Sequence, residues 1–269
     1  MGLVRAVVLT GFGLNCDLET AYALTAAGAS AERAHLNSLI DGEEKLGDYQ
    51  IFVVGGGFSW GDDHGAGVIM AMRLKHRMKD ELLAFVERGG LVMGICNGFQ
   101  VLVNLGLLPG FEPRELRREV ALINNDCGSF RDQWVRLAVN RSSPCVVTRG
   151  IEEIELPIRH GEGKFHAEPP VLQKLVDLQQ VVMRYAVPDG RPAQGSFPHN
   201  PNGSVADIAS ICDPTGRIMG LMPHPEAYNH WTNHPDWTSL KEKCRREGRP
   251  FPEEGHGIKL FRNAVSYFA

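Results

Sequence analysis

No apolar stretch of this 269-residue chain approaches the ~20 residues that span a bilayer, so no membrane helix is expected. No charged n-region or apolar h-region opens it either: Met1-Gly2-Leu3-Val4-Arg5 runs straight into a β-rich segment, which points to a cytoplasmic protein rather than an exported one. Long basic tracts are missing. With 28 Lys and Arg against 32 Asp and Glu, the formal net charge is −4, which argues against nucleic acid as the partner. The nearest approach to a basic run, residues 241–249, is interrupted by Glu242, Cys244 and Glu247 and reads as a solvated helix face or loop. Disulfides are not expected: the six cysteines, Cys16, Cys96, Cys127, Cys145, Cys212 and Cys244, are scattered in a chain too large to need staples, none forms a C-x-x-C pair, and free thiols in a reducing cytoplasm fit best. There is no internal repeat, no low-complexity segment and no interdomain linker, so one domain over residues 1–269 is expected.

What is present is an alternation of strand and helix signals over the first hundred residues. Arg5–Thr10 is a β-rich run, Asp17 caps a predicted helix over Leu18–Ala27, and Ile51–Val54 is an apolar strand closed by three glycines. A single helix is predicted from Ala66 to Arg88, followed by the strand Leu91–Ile95. Near-continuous apolar strands separated by helices imply an α/β fold: a mainly parallel sheet with helices on both faces. After about Gly110 the pattern shortens. Trp134–Val139, Cys145–Thr148, Val181–Tyr185, Ala206–Cys212 and Arg217–Met222 read as strands of a small antiparallel extension, and Ile258–Tyr267 as a closing helix.

The chemistry is concentrated at Gly94-Ile95-Cys96-Asn97-Gly98, which joins the strand Leu91–Ile95 to a helix beginning Phe99-Gln100-Val101-Leu102. This is the pattern of a nucleophile elbow with cysteine at its apex. A tight strand–turn–helix forces the apex residue into a strained conformation, and the flanking glycines let strand and helix approach. The sulfur then sits at a helix N-terminus, where free amides and the helix dipole favour negative charge. A cysteine nucleophile needs a base, and of ten histidines His224 stands out, in Met222-Pro223-His224-Pro225-Glu226 directly after a strand. Prolines on both sides favour extended backbone, which turns residues two apart the same way and lets Glu226 orient the imidazole. Attack on a carbonyl needs oxyanion donors: the amide of Asn97, and a second from the loop Gly55-Gly56-Gly57-Phe58-Ser59-Trp60-Gly61-Asp62. That loop lacks the terminal Gly-Lys-Ser/Thr of a P-loop and the spacing of a dinucleotide fingerprint, so phosphate binding is the weaker reading.

With these motifs in order, the sequence resembles the class I (triad-type) glutamine amidotransferases, and within them the glutaminase subunits of phosphoribosylformylglycinamidine synthase. The general motifs are Gly94–Gln100 and His224-Pro225-Glu226; Asn15-Cys16-Asp17, Gly56–Asp62, His160-Gly161-Glu162-Gly163 and Pro201-Asn202-Gly203-Ser204 favour the subfamily. The resemblance runs from about Val4 to the C-terminus and implies a flavodoxin-like fold. It implies that Cys96 attacks the side-chain amide of glutamine, with the oxyanion on amides near Gly57 and Asn97. His224 then protonates the departing ammonia, leaving a thioester that water hydrolyses. Gly56, Gln100, His160, Gly161 and Glu162 are expected near the bound glutamine. No metal or cofactor is expected in this chain; ATP and Mg belong to a separate synthetase subunit, with a small third subunit in the assembly. A class I amidotransferase serving another synthetase, or a non-catalytic regulatory homologue, is the alternative. Two features depart from the pattern: Gly55 replaces a usual proline, and residues 228–256 are long and divergent. His230, Trp231, His234 and Trp237 in that segment raise a metal-site reading, but the spacing matches no metal motif, and a partner-contacting or elaborated surface loop is favoured.

Overall fold

A computed structural model describes residues 2–112 and 114–269. The strands are β1 (Arg5–Thr10), β2 (Ser30–His35), β3 (Ile51–Val54), β4 (Leu91–Ile95), β5 (Val120–Ile123), β6 (Arg131–Val139), β7 (Glu153–His160), β8 (Lys164–Ala167), β9 (Val181–Ala186), β10 (Ile208–Cys212) and β11 (Ile218–Leu221). The helices are α1 (Asp17–Ala26), α2 (Leu36–Ile40), α3 (Val68–Arg77), α4 (Lys79–Glu87), α5 (Asn97–Leu105), α6 (Pro169–Asp177), α7 (Trp237–Arg246) and α8 (Ile258–Ser266). Nine strands form one sheet in the order β2-β1-β3-β4-β11-β10-β9-β6-β7. Pairing is parallel from β2 to β11 and antiparallel from β11 to β7. β5 and β8 form a separate antiparallel pair. α1 packs with α8 and α3 with α5, giving the α/β sheet helices on both faces. The central strands β3, β4, β10 and β11 are buried at every position, as expected of strands covered on both sides.

Several expected elements differ. The long helix over Ala66–Arg88 is two helices, α3 and α4, broken at Met78 (φ −132°, ψ 13°). Charge marks the break: α3 ends on Lys75, His76 and Arg77, and α4 begins with Asp80 and Glu81, each complementing its own helix dipole. Cys145–Thr148 is no strand; Val146–Thr148 is a buried 3-10 turn packed on α8. Val205–Asp207, partly assigned to a strand, is another such turn, with Ala206 at φ 51°.

Strands β2, β5, β7 and β8 and helices α2 and α6 are not among the predicted elements. β2 is a half-exposed edge strand of sequence SAERAH without an apolar run. β7 contains Pro157, which is tolerated because β7 closes the other edge of the sheet. α6 begins with Pro169, a helix-start signal. The antiparallel extension consists of four strands, β10, β9, β6 and β7. Among the described residues, no helix is long and apolar enough to cross a membrane.

Residues 228–256 fold onto the body as an aromatic lobe. His234 packs on Trp134 in a tilted arrangement with ring centroids 4.6 Å apart, Tyr228 packs against His234, Trp231 and His256, and Trp231 against His256. His230 caps the 3-10 turn Trp231–Asn233 by accepting from the Thr232 amide. The two histidines thus serve packing and capping. α7 buries only Cys244 and exposes its charges, as the 241–249 pattern predicts.

Candidate active site

β4 and β11 are neighbours in parallel register, with Leu221 opposite Ile95, so both strands deliver their following residues to the same edge of the sheet. Cys96 follows β4 and His224 follows β11. The Cys96 amide donates to Leu221 O at 2.8 Å, which pins the apex of the turn to the neighbouring strand. Cys96 has φ 51° and ψ −105°, a strained conformation for a residue with a side chain. The glycines beside it answer real contacts. A methyl on Gly94 would lie 2.7 Å from Gly98 O and from Leu102 Cδ1, and one on Gly98 would overlap the carbonyl of Val54.

The His224 imidazole is buried, and its Nδ1 lies 2.5 Å from Glu226 Oε1. The extended backbone predicted through Glu226 ends at His224; Pro225–Ala227 is a 3-10 turn, and Glu226 reaches back from it. Burial by itself would lower the pKa of His224. The Glu226 carboxylate and the thiols of Cys96 and Cys16 outweigh burial and hold the imidazole well above its ordinary value. His224 Nε2, the nitrogen not engaged by Glu226, has no hydrogen-bond partner among the described residues. Cys96 Sγ lies 3.5 Å from Arg159 O. A cavity of about 260 Å³ lies over this group, lined by Cys96, His224, Gly57 and Arg159 and closed by Asn15, Cys16, Glu19, Phe58 and Phe130.

The glycine loop forms the facing wall. Gly57 (φ +144°) pairs with Leu14 in a bridge whose flanking residues exchange the bonds: Asn15 N to Gly56 O and Phe58 N to Gly13 O. The Gly57 amide is therefore turned away from that pairing. A methyl there would meet Gly13 O at 2.6 Å, so only glycine fits. Gly56 lies directly against the imidazole, where a methyl would stand 2.7 Å from His224 Cε1. Asn97 opens α5, so its amide is one of the free donors of a helix N-terminus. Its side chain ties the loop to the helix, accepting from Ser59 N and donating to Gln100 Oε1 and Asp62 Oδ1.

The remaining predicted residues lie one layer away. Gln100 is buried and donates to Glu162 O at 2.6 Å, so both ends of its amide are engaged within the protein. Gly161 and Glu162 line a neighbouring cavity of about 380 Å³, which shares only Phe58 and Phe130 with the first. Asp62 lines it too; burial and the nearby Glu162 push its carboxyl up to about 6. His160 is buried, its Nδ1 3.0 Å from Asn125 Oδ1. Since that oxygen also accepts from the Gly163 amide, it is the acceptor, and Nδ1 carries the proton. Burial and the charge of His224 push His160 down to about 3, so it is neutral near pH 7. Sequence reasoning assigned no site role to Cys16, Glu19, Phe130 or Arg159. Cys16 enters there only within the subfamily motif Asn15-Cys16-Asp17, and the fold sets its Sγ 4.0 Å from His224 Nδ1.

A thiol beside an imidazole held by a buried carboxylate, with the Gly57 amide at the same cavity and the Asn97 amide directly after the thiol residue, is the equipment of nucleophilic acyl transfer. Residues 3–268 match the family described as the CobB/CobQ-like glutamine amidotransferase domain, and the chain belongs to it. Among named relatives, it is 43% identical over 267 residues to phosphoribosylformylglycinamidine synthase subunit PurQ of Methanococcus maripaludis, covering 98% of this chain and 97% of that one. It is 42% identical to the protein of the same name from Dehalococcoides mccartyi, covering 99% and 98%. The fold matches a chain in the structure of PurLQS from Thermotoga maritima with a TM-score of 0.71, 30% identity and full coverage of both chains.

Proposed function

We infer that this chain is the glutaminase subunit of phosphoribosylformylglycinamidine synthase, supplying ammonia for purine biosynthesis. One observation carries the reading: the Cys96–His224–Glu226 cluster sits under a cavity in a chain matching, nearly end to end, subunits of that name. Cys96 Sγ attacks the carboxamide carbon of glutamine, and its proton passes to His224. The tetrahedral oxyanion is held by the amide of Asn97, at the start of α5, and that of Gly57, turned away from its pairing with Leu14. His224, its charge balanced by Glu226, gives the proton to the departing nitrogen. Ammonia leaves and a γ-glutamyl thioester remains. Water, deprotonated by His224, attacks the thioester; glutamate departs and the thiol is re-formed.

Gly56 packs on the imidazole, and Gln100, His160, Gly161 and Glu162 form the supporting layer around the substrate. ATP and Mg act in a separate synthetase subunit, which converts formylglycinamide ribonucleotide to the amidine; a small third subunit completes the assembly. The name PurLQS, given to the Thermotoga maritima structure, supports such a grouping.

The test is Cys96→Ala in the assembled complex. Glutamine-dependent amidine synthesis is expected to vanish while added ammonium salts still support it. Loss of both activities in a correctly assembled complex, or retention of the first, contradicts the reading.

A further inference from the structure

We propose that Cys16, His224 and Glu226 form a binding site for zinc or a similar thiophilic divalent ion, a site that occludes the nucleophile's base when filled. Cys16 Sγ, His224 Nδ1 and a Glu226 carboxylate oxygen all lie within 4.8 Å of one another. The three residues come from the start of α1 and from the turn after β11, so the site is tertiary rather than a local motif. Glu226 is fully buried, and its Oε2 has no hydrogen-bond partner among the described residues, leaving a carboxylate oxygen without the donor that burial demands. Cys16 and His224 line the cavity that also reaches Cys96, which gives an ion a route in.

The donor set is one thiolate, one imidazole and one carboxylate, which suits zinc and leaves a fourth position for water; magnesium and calcium would want oxygen alone. Tetrahedral zinc, with Zn–S and Zn–N of about 2.3 and 2.0 Å, sets sulfur and nitrogen roughly 3.5 Å apart. The observed separation is 4.0 Å, so little movement is needed there. Nitrogen and oxygen ligands stand about 3.3 Å apart around such an ion, whereas His224 Nδ1 and Glu226 Oε1 are at 2.5 Å. Binding therefore has to open the His224–Glu226 hydrogen bond. The protons on Cys16 Sγ and His224 Nδ1 leave to solvent as the metal–ligand bonds form. With Nδ1 on the metal, the one remaining imidazole proton sits on Nε2, so His224 can no longer take a proton from Cys96; the inhibition that follows rests on the glutaminase reading, whereas the binding does not.

The probe is cobalt(II), whose thiolate charge-transfer band and tetrahedral visible bands report a bound cysteine, in the full chain carrying Cys96→Ser so that the neighbouring thiol cannot answer. The expectation is saturable one-to-one binding with a thiolate band that zinc displaces. The double variant Cys96→Ser/Cys16→Ser should lose the band while its circular dichroism stays native. Cys96→Ser/Glu226→Gln should keep the band with affinity reduced about tenfold or more. Absence of binding in Cys96→Ser, or a band that survives removal of Cys16, overturns the site. A band seen only when Cys96 is present assigns the ion to the nucleophile instead and overturns it equally. If Cys96 proved dispensable for glutamine use, the glutaminase reading would fail while the cobalt result stood.

Discussion

Gly56→Ala offers a clean test of whether His224 must hold its observed position. The added methyl would lie 2.7 Å from His224 Cε1, 3.3 Å from Nδ1 and 3.1 Å from Cys16 Sγ. Ordinary carbon–carbon contact needs roughly 3.5 Å or more, so the ring has to retreat by most of an ångström. It is held on the other side by Glu226 at 2.5 Å, and that bond cannot follow without distortion. A misplacement near 1 Å at reacting groups costs on the order of 100-fold in rate, or about 2.7 kcal/mol of barrier. Gly56 is not in the left-handed region, so alanine imposes no backbone strain and the fold should survive. The adjacent Gly55→Ala is the control: its methyl would meet nothing closer than 3.7 Å, and lowering the entropy of the unfolded chain should stabilise by about 0.4–1 kcal/mol. Glutamine-dependent and ammonium-dependent synthesis would be measured on the assembled complex. The expectation is a kcat loss of about 100-fold for glutamine in Gly56→Ala, with the ammonium reaction intact and Gly55→Ala near wild type. A Gly56→Ala enzyme within a few-fold of wild type, or a Gly55→Ala enzyme equally impaired, would refute the positioning argument.

Further outcomes are expected. His224→Ala should lower glutamine turnover by orders of magnitude and His230→Ala hardly at all, since His230 only caps a surface turn; steady-state kinetics would compare them. His160 should make the fold acid-sensitive. Its folded pKa of about 3 lies below the unfolded 6.5, so the unfolded chain binds the extra proton between these values, and the contribution is complete above pH 6.5 and lost as pH falls toward 3. The full span is roughly 4–5 kcal/mol, about 2 of it gone by pH 5. His160→Gln should flatten the difference between urea midpoints at pH 7 and pH 5, and an unchanged difference would exclude His160 as its source. Asp213 has no exposed side-chain surface; it pairs with Arg114 at 2.8 Å and accepts from the amides of Arg217 and Ile218. Asp213→Ala should therefore cost about 3–5 kcal/mol, read as a fall in denaturant midpoint.

The elbow was legible because its chemistry leaves a steric mark: the contacts at Gly94 and Gly98 show why no larger residue stands there. His224 and Glu226 were legible from their spacing, although the backbone aligns them in a different way. Extended backbone was expected to align them, whereas a 3-10 turn brings Glu226 back onto the ring. Cys16 was illegible as a site residue because it approaches His224 across a sequence separation of 208, which only the folded chain brings together. β2 and β7 are illegible for the complementary reason that edge strands are half-exposed and carry polar residues and proline, so periodicity marks them weakly. The break at Met78 was written in the charges around it, which outweighed a continuous helical pattern.

The most direct measurement of the central claim is peptide mapping after reaction with a glutamine-shaped electrophile. Six cysteines compete, five of them buried, and two, Cys16 and Cys96, line the same cavity. Cys96, His224 and Glu226 acting as one unit predicts a single adduct on Cys96, formed orders of magnitude more slowly in His224→Ala. An adduct on Cys16, labelling spread over several thiols, or a rate on Cys96 indifferent to His224 would contradict it.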